Sequence, residues 1–230
     1  MKAYKYCLNY DLVIRPLSRS RIYAPNKQQL NDPFEGTVTR KIFDDYEQIK
    51  HLLSPSAYEY KINLHKKLFI QIGYLGIYSL SKTWNNELLW AHYADTHKGF
   101  CIEYEKDKLI LDKTRTKIFP KIIKIKYSKK PPVYSLKDAD NATEEQLLLR
   151  LLKKLICTKS WSWKDEKEIR VLFKENGEQE INGTAIKSII FGAFASDENI
   201  NNTISIMSDK IKYYKIEITK NNYGLLKKRL

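Results

Sequence analysis

Residues 161–173, WSWKDEKEIRVLF, set Glu166, Glu168 and Arg170 at alternate positions among apolar residues. In an extended strand side chains alternate between faces, so these three share one face while Lys167, Ile169, Val171 and Phe173 share the other. Carboxylates two residues apart on such a face stand roughly 6–7 Å apart. Two acids so spaced at the mouth of a cleft suit the support of a developing cation, as in glycosyl transfer through an oxocarbenium ion. One acid would act directly and the other would orient an acceptor. The same pattern also describes a solvated sheet face carrying a Glu–Arg pair.

A second candidate is YSLSKT, residues 78–83, in which Ser79 and Ser81 share a strand face and can bond a ligand or cap the next turn. A third, WAHYADTHKGF, concentrates Trp90, His92, Tyr93, Asp95 and His97. Its two histidines are five residues apart, which fits neither helical i,i+4 ligation nor zinc-finger spacing, so no metal site is expected. GxGxxG, GxxxxGK[ST], GxSxG and HExxH are all missing, which argues against Rossmann enzymes, P-loop NTPases, α/β-hydrolases and zincins.

The elements that must position these groups are short. AYKYC and DLVIRP read as a strand and its continuation up to Pro16, and residues 20–36 as an irregular surface segment with Leu30 and Phe34 tucked inward. Residues 42–53 and 57–72 have helical spacing, broken at Gly73 and Gly76. IYSLS (77–81), GFCIEYE (99–105) and KIIKIKY (121–127) read as strands, and ELLWAHYAD (87–95) as a helix. After a loop over 128–142, Thr143 and Gln146 form a capping box for a Leu-rich helix. WSWKDEKEIRVLF, TAIKSIIFGAF and KIKYYKIEIT make the last third strand-rich. The expected architecture is α+β, a single domain over 1–230 with a mixed or antiparallel sheet of six or more strands.

The chain has 230 residues and a net charge of +14, which favours polyanionic partners such as nucleic acid; the codon bias of an AT-rich genome would give the same lysine excess. Three scattered cysteines without a CxxC pair fit a reducing cytoplasm. MKAYKYCLNY lacks the apolar run of a secretory leader, and no stretch approaches the roughly 18 apolar residues of a membrane span, so a cytoplasmic protein without a membrane partner is expected.

YKY (4–6), LNDPFEG (30–36), YSLS (78–81), LLWAHYADTHKGFCIEYE (88–105) and WSWKDEKEIRVLF together resemble the bacterial domain-of-unknown-function family 2971, over nearly the whole chain. The motif order is in turn similar to that of ADP-ribosyltransferases of the DarT and AbiGi branches. That resemblance implies an ADP-ribosyltransferase-like fold with NAD as substrate. Glu168 would hold the nicotinamide ribose, and Glu166 would position the acceptor. Lys5 would stand where that family has His or Arg, Ser79 and Ser81 would support the NAD pocket, and Tyr93 would stack near the nicotinamide. It also implies a toxin or phage-defence effector that modifies nucleic acid or protein, with an antitoxin or defence-system partner. Two other classes fit the residues: a non-catalytic nucleic-acid-binding module using basic and tyrosine side chains, and a magnesium nuclease using Asp32, Glu35, Glu166 and Glu168.

Overall fold

The computed structural model describes residues 1–111, 118–207, 209–219 and 223–230. At its centre lies an eight-stranded sheet. From edge to edge run β12 (Leu225–Arg229), β11 (Lys212–Ile218), β10 (Ile186–Phe191), β4 (Phe100–Glu105), β1 (Lys2–Cys7), β3 (Gly76–Ser81), β8 (Glu168–Phe173) and β5 (Lys121–Lys124). Neighbours are antiparallel except β10 and β11, whose parallel pairing needs a crossover, supplied by α7 (Asp197–Ile206). Two small ribbons flank the sheet: β2 (Arg21–Ala24) with β9 (Gly177–Glu180), and β6 (Lys126–Ser128) with β7 (Thr158–Ser160). The architecture is α+β with a mixed sheet.

Alternation along the central strands assigns each face its cover. Phe100, Ile102, Tyr104, Ile169, Val171, Tyr78 and Leu80 face one layer, closed by Ile14 and Leu17 of α1 (Tyr10–Ser18) and Ile200 of α7. The opposite face carries two separate apolar patches. Ile77 and Leu172 pack against α2 (Lys41–Gln48), α3 (Pro55–Gly73) and α6 (Glu144–Leu155), whereas Tyr4, Tyr6, Cys101 and Ile190 pack against Leu89 and Trp90 of α4 (Glu87–Tyr93). The seam between these patches runs over β1, β3 and β8, where the polar side chains Ser79, Ser81, Glu168 and Arg170 stand.

Local signals account for most boundaries. The Thr143–Gln146 capping box is present at α6, and Ser54 caps α3 with Pro55 at its first position. Other expectations need correction. DLVIRP is not a continuation of β1: Asn9 accepts a hydrogen bond from the Leu12 N–H and starts α1, which contains Pro16 and buries Ile14 and Leu17 three residues apart. Within residues 20–36 there is a strand, β2, and Phe34 is exposed; the residues turned inward from this segment include Asp32. KIIKIKY divides into β5 and β6, and the 128–142 loop contains the short helix α5 (Leu136–Ala139).

Candidate active site

WSWKDEKEIRVLF is not one strand. Residues Trp161–Glu166 form a 3-10 turn, Lys167 adopts the left-handed region at φ 48°, and only Glu168–Phe173 is extended. Strand alternation therefore does not explain why Glu166 and Glu168 face the same way. A left-handed residue between them does: it reverses the chain so that both carboxylates reach a single ammonium, Lys159 Nζ on β7, at 2.6 Å for Glu166 and 3.3 Å for Glu168. The turn is held from two sides. Ser81 Oγ donates to the Glu166 carbonyl at 2.8 Å, and Asn86, the N-cap of α4, donates through Nδ2 to the Asp165 carbonyl at 2.7 Å.

Glu168 and Arg170 behave as two strand neighbours should and share a face. Arg170 Nε donates to Glu168 Oε1 at 2.6 Å and Nη2 to Oε2 at 3.1 Å. The remaining N–H groups go to Glu35, through both Nη atoms, and to the Ile156 carbonyl at 2.8 Å. All five donors of a guanidinium that is only 1% exposed are thereby used. Lys159 also approaches Glu35 at 3.7 Å, so three acids and two cations form one buried network. Burial pushes the Glu168 carboxyl up, but Arg170, Lys159 and a hydrogen bond from Ser79 outweigh it and hold the group at about 2. Burial likewise opposes the charge on Lys159, yet Glu168, Glu166 and Glu35 raise it above the usual lysine range.

Above this network lies a cavity of about 200 Å³. Its floor is the seam of the sheet, with Ser79 paired to Arg170 and Ser81 to Glu168 across β3 and β8. Residues 29–32 with Glu35 close one side and Leu89 and Tyr93 of α4 the other. Tyr93 donates its hydroxyl proton to Glu166 Oε1 at 2.7 Å, and burial raises its own pKa. This Tyr93–Glu166 pair is a partition, because both residues also line a second hollow of about 130 Å³ containing His92, Ser162 and Trp163.

All six sequence-derived site residues border this cavity: Lys5, Ser79, Ser81, Tyr93, Glu166 and Glu168. The hydroxyl of Ser81 is already engaged with the Glu166 carbonyl and the Thr83 N–H, so its part is to fix the turn. Lys5 borders the cavity from β1, but its side chain is turned away from it. Tyr4 pairs with Ser81 and faces the cavity, so Lys5 projects to the opposite side, where its Nζ lies 5.0 Å from the centroid of the Tyr78 ring. The histidines of WAHYADTHKGF do not converge either: His97 stacks on Trp90 and His92 packs edge-on to Trp163. Among the described residues no His, Cys, Asp or Glu cluster is arranged to hold a metal ion, and Glu35, Glu166 and Glu168 are instead paired with Lys159 and Arg170. Lys159 carried no signal in the sequence; Glu35 did, through NDPFE.

Residues 89–171 match the model of a family described as a protein of unknown function, DUF2971. No curated protein and no solved structure matches the chain. The DUF2971 match runs from α4 into β8 and so includes Tyr93, Lys159, Glu166, Glu168 and Arg170. Asp32, Glu35, Ser79 and Ser81, which complete the cavity, lie outside the DUF2971 segment.

Proposed function

We propose that this protein is an ADP-ribosyltransferase that takes NAD as substrate and that its active site is the cavity over β3 and β8. The observation that carries the reading is Glu168: a buried carboxylate held ionised at about 2 by Arg170 and Lys159, beside the Ser79 hydroxyl on a cavity wall. A fixed negative charge in a water-poor site is what a ribosyl oxocarbenium ion requires. The bond between ribose C1′ and the nicotinamide nitrogen breaks, and its electron pair leaves with nicotinamide. Glu168 stabilises the cation, the acceptor's lone pair closes on C1′, and Glu166 takes the acceptor's proton.

Two further features support this division of labour. A cavity of about 200 Å³ is smaller than the ~300 Å³ at which sites for whole drug-sized ligands begin, a size in keeping with one end of the dinucleotide, the nicotinamide ribose, rather than the whole of it. Glu166 lies between this cavity and the second hollow, a position open to an acceptor from the far side. The +14 net charge favours a nucleic-acid acceptor over a neutral one.

The test is incubation with labelled NAD and either nucleic acid or lysate. Release of nicotinamide with label transfer, abolished in a folded Glu168→Gln variant, supports the reading, as does growth arrest on expression that the same variant relieves. Salt-sensitive nucleic-acid binding with no nicotinamide release would replace it with a non-catalytic binding module.

A further inference from the structure

Asp32 is the one acid of the cavity that the ion-pair network leaves out. It is 6% exposed and lines the cavity. Its Oδ1 accepts the Phe34 N–H at 2.9 Å and its backbone carbonyl accepts the Glu35 N–H at 3.0 Å, so the turn around Pro33 fixes the side chain. Its Oδ2 is buried and, among the described residues, without a hydrogen-bond partner. A carboxylate oxygen in that state is costly, and natural folds retain few of them.

The surroundings indicate what would satisfy it. Asp32, Glu35, Glu166 and Glu168 line the cavity with Lys5, Lys159 and Arg170, so carboxyl groups exceed cations by four to three. Lys159 and Arg170 are already committed to Glu35, Glu166 and Glu168, and the Lys5 ammonium lies over the Tyr78 ring on the other face of the sheet. On a chain of net charge +14 this is a local excess of acid. One free oxygen is too few for a divalent ion, which takes about six oxygen ligands, but it suits an N–H donor. The apolar part of the lining, Tyr4, Tyr6, Ile77 and Leu89, suits the flat face of a ring.

We infer that Asp32 is a ligand-binding residue, whose Oδ2 receives an N–H donor of a small, planar, positively charged group such as an amidinium seated in this cavity. The inference concerns binding alone and does not depend on the transferase reading. No NAD and no turnover enters its test, so either can fail without the other.

Benzamidine, benzamide and benzoate share a shape and differ in charge, and calorimetric titration of each into the full chain reads the preference directly. Wild type binds benzamidine at least about tenfold more tightly than benzoate, with benzamide between them. Asp32→Asn retains the Oδ1 acceptor for the Phe34 N–H, keeps its fold by circular dichroism, and loses about tenfold in benzamidine affinity. Equal affinities for benzamidine and benzoate, no binding of any of the three to wild type, or benzamidine affinity unchanged in Asp32→Asn would each overturn the inference. Should that variant unfold, a crystal of wild type with benzamidine decides: an amidinium nitrogen within hydrogen-bond reach of Asp32 Oδ2 upholds it, and the ring seated anywhere else refutes it.

Discussion

Arg170 grips Glu35 across 135 positions of sequence, both carboxylate oxygens accepting from its two Nη atoms. The contact ties the NDPFE turn to the centre of β8 and so closes one wall of the cavity. Removing one partner of a buried pair leaves the other charge uncompensated, which costs about 3–5 kcal/mol. Arg170→Met, which takes this cation away from Glu35 and Glu168, is expected to lose stability in that range by denaturant unfolding. Glu35→Gln is expected to lose nearly as much, and the double variant less than the sum of the two. A loss of under ~1 kcal/mol in Arg170→Met is the size of a surface pair and would contradict the buried-network description.

The carboxyl of Glu168 sits at about 2 when folded against an ordinary value of 4.5. Its contribution to stability is therefore complete above pH 4.5 and is lost as pH falls toward 2, at up to about 1.4 kcal/mol per pH unit. Lys159→Met removes one of the two cations that hold it down. In that variant the Glu168 carboxyl, followed by carbon-detected NMR, should titrate at higher pH. No change would mean that Arg170 alone sets it.

His65 gives a separate acid transition. Its ring nitrogens face the hydroxyls of Tyr46 at 3.3 Å and Tyr134 at 3.2 Å, and burial, with Lys61 nearby, brings its pKa from 6.5 to about 4. The unfolded chain takes up a proton that the folded one refuses. Stability is thus expected to fall as pH drops from 6.5 to 4, again by up to about 1.4 kcal/mol per unit, a window that meets that of Glu168 only between 4.5 and 4. His65→Gln keeps hydrogen-bonding groups without titrating there, and should flatten the unfolding free energy between those two pH values.

Lys5 and Ser79 are on neighbouring strands and opposite faces, and should separate function from stability. Burial lowers the pKa of Lys5, and its Nζ has an aromatic ring beside it. Lys5→Met should raise unfolding free energy by about 1 kcal/mol, through relief of a poorly solvated ammonium, and leave nicotinamide release within about twofold. Ser79→Ala removes a hydrogen bond to Glu168 and should lower that release by about tenfold, or ~1.4 kcal/mol of transition-state stabilisation. The reverse pattern would return Lys5 to the site.

Much of this was written in periodicity. The strands β3 and β4, the helices α3, α4 and α6, and the capping box at Thr143 follow from local spacing, because propensity, caps and apolar period are properties of a few adjacent residues. The same rules missed α1, where the Asn9 cap and the Ile14–Leu17 pair outweighed the strand-like look of DLVIRP. They also missed the inward turn of Asp32, since Pro-containing segments read as surface unless something distant draws a side chain in.

The sequence by itself determined which residue types were on hand: the paired acids of WSWKDEKEIRVLF, the Ser-x-Ser strand, and NDPFE. Only the tertiary structure decided that Glu166 reaches its place through a left-handed turn, that Lys159 and Arg170 pair with the acids, and that the Lys5 side chain points behind the sheet. The reason is range. Face and period are set within a few residues, whereas the pairing of charges 135 positions apart depends on which strands become neighbours and on how far their packing excludes water.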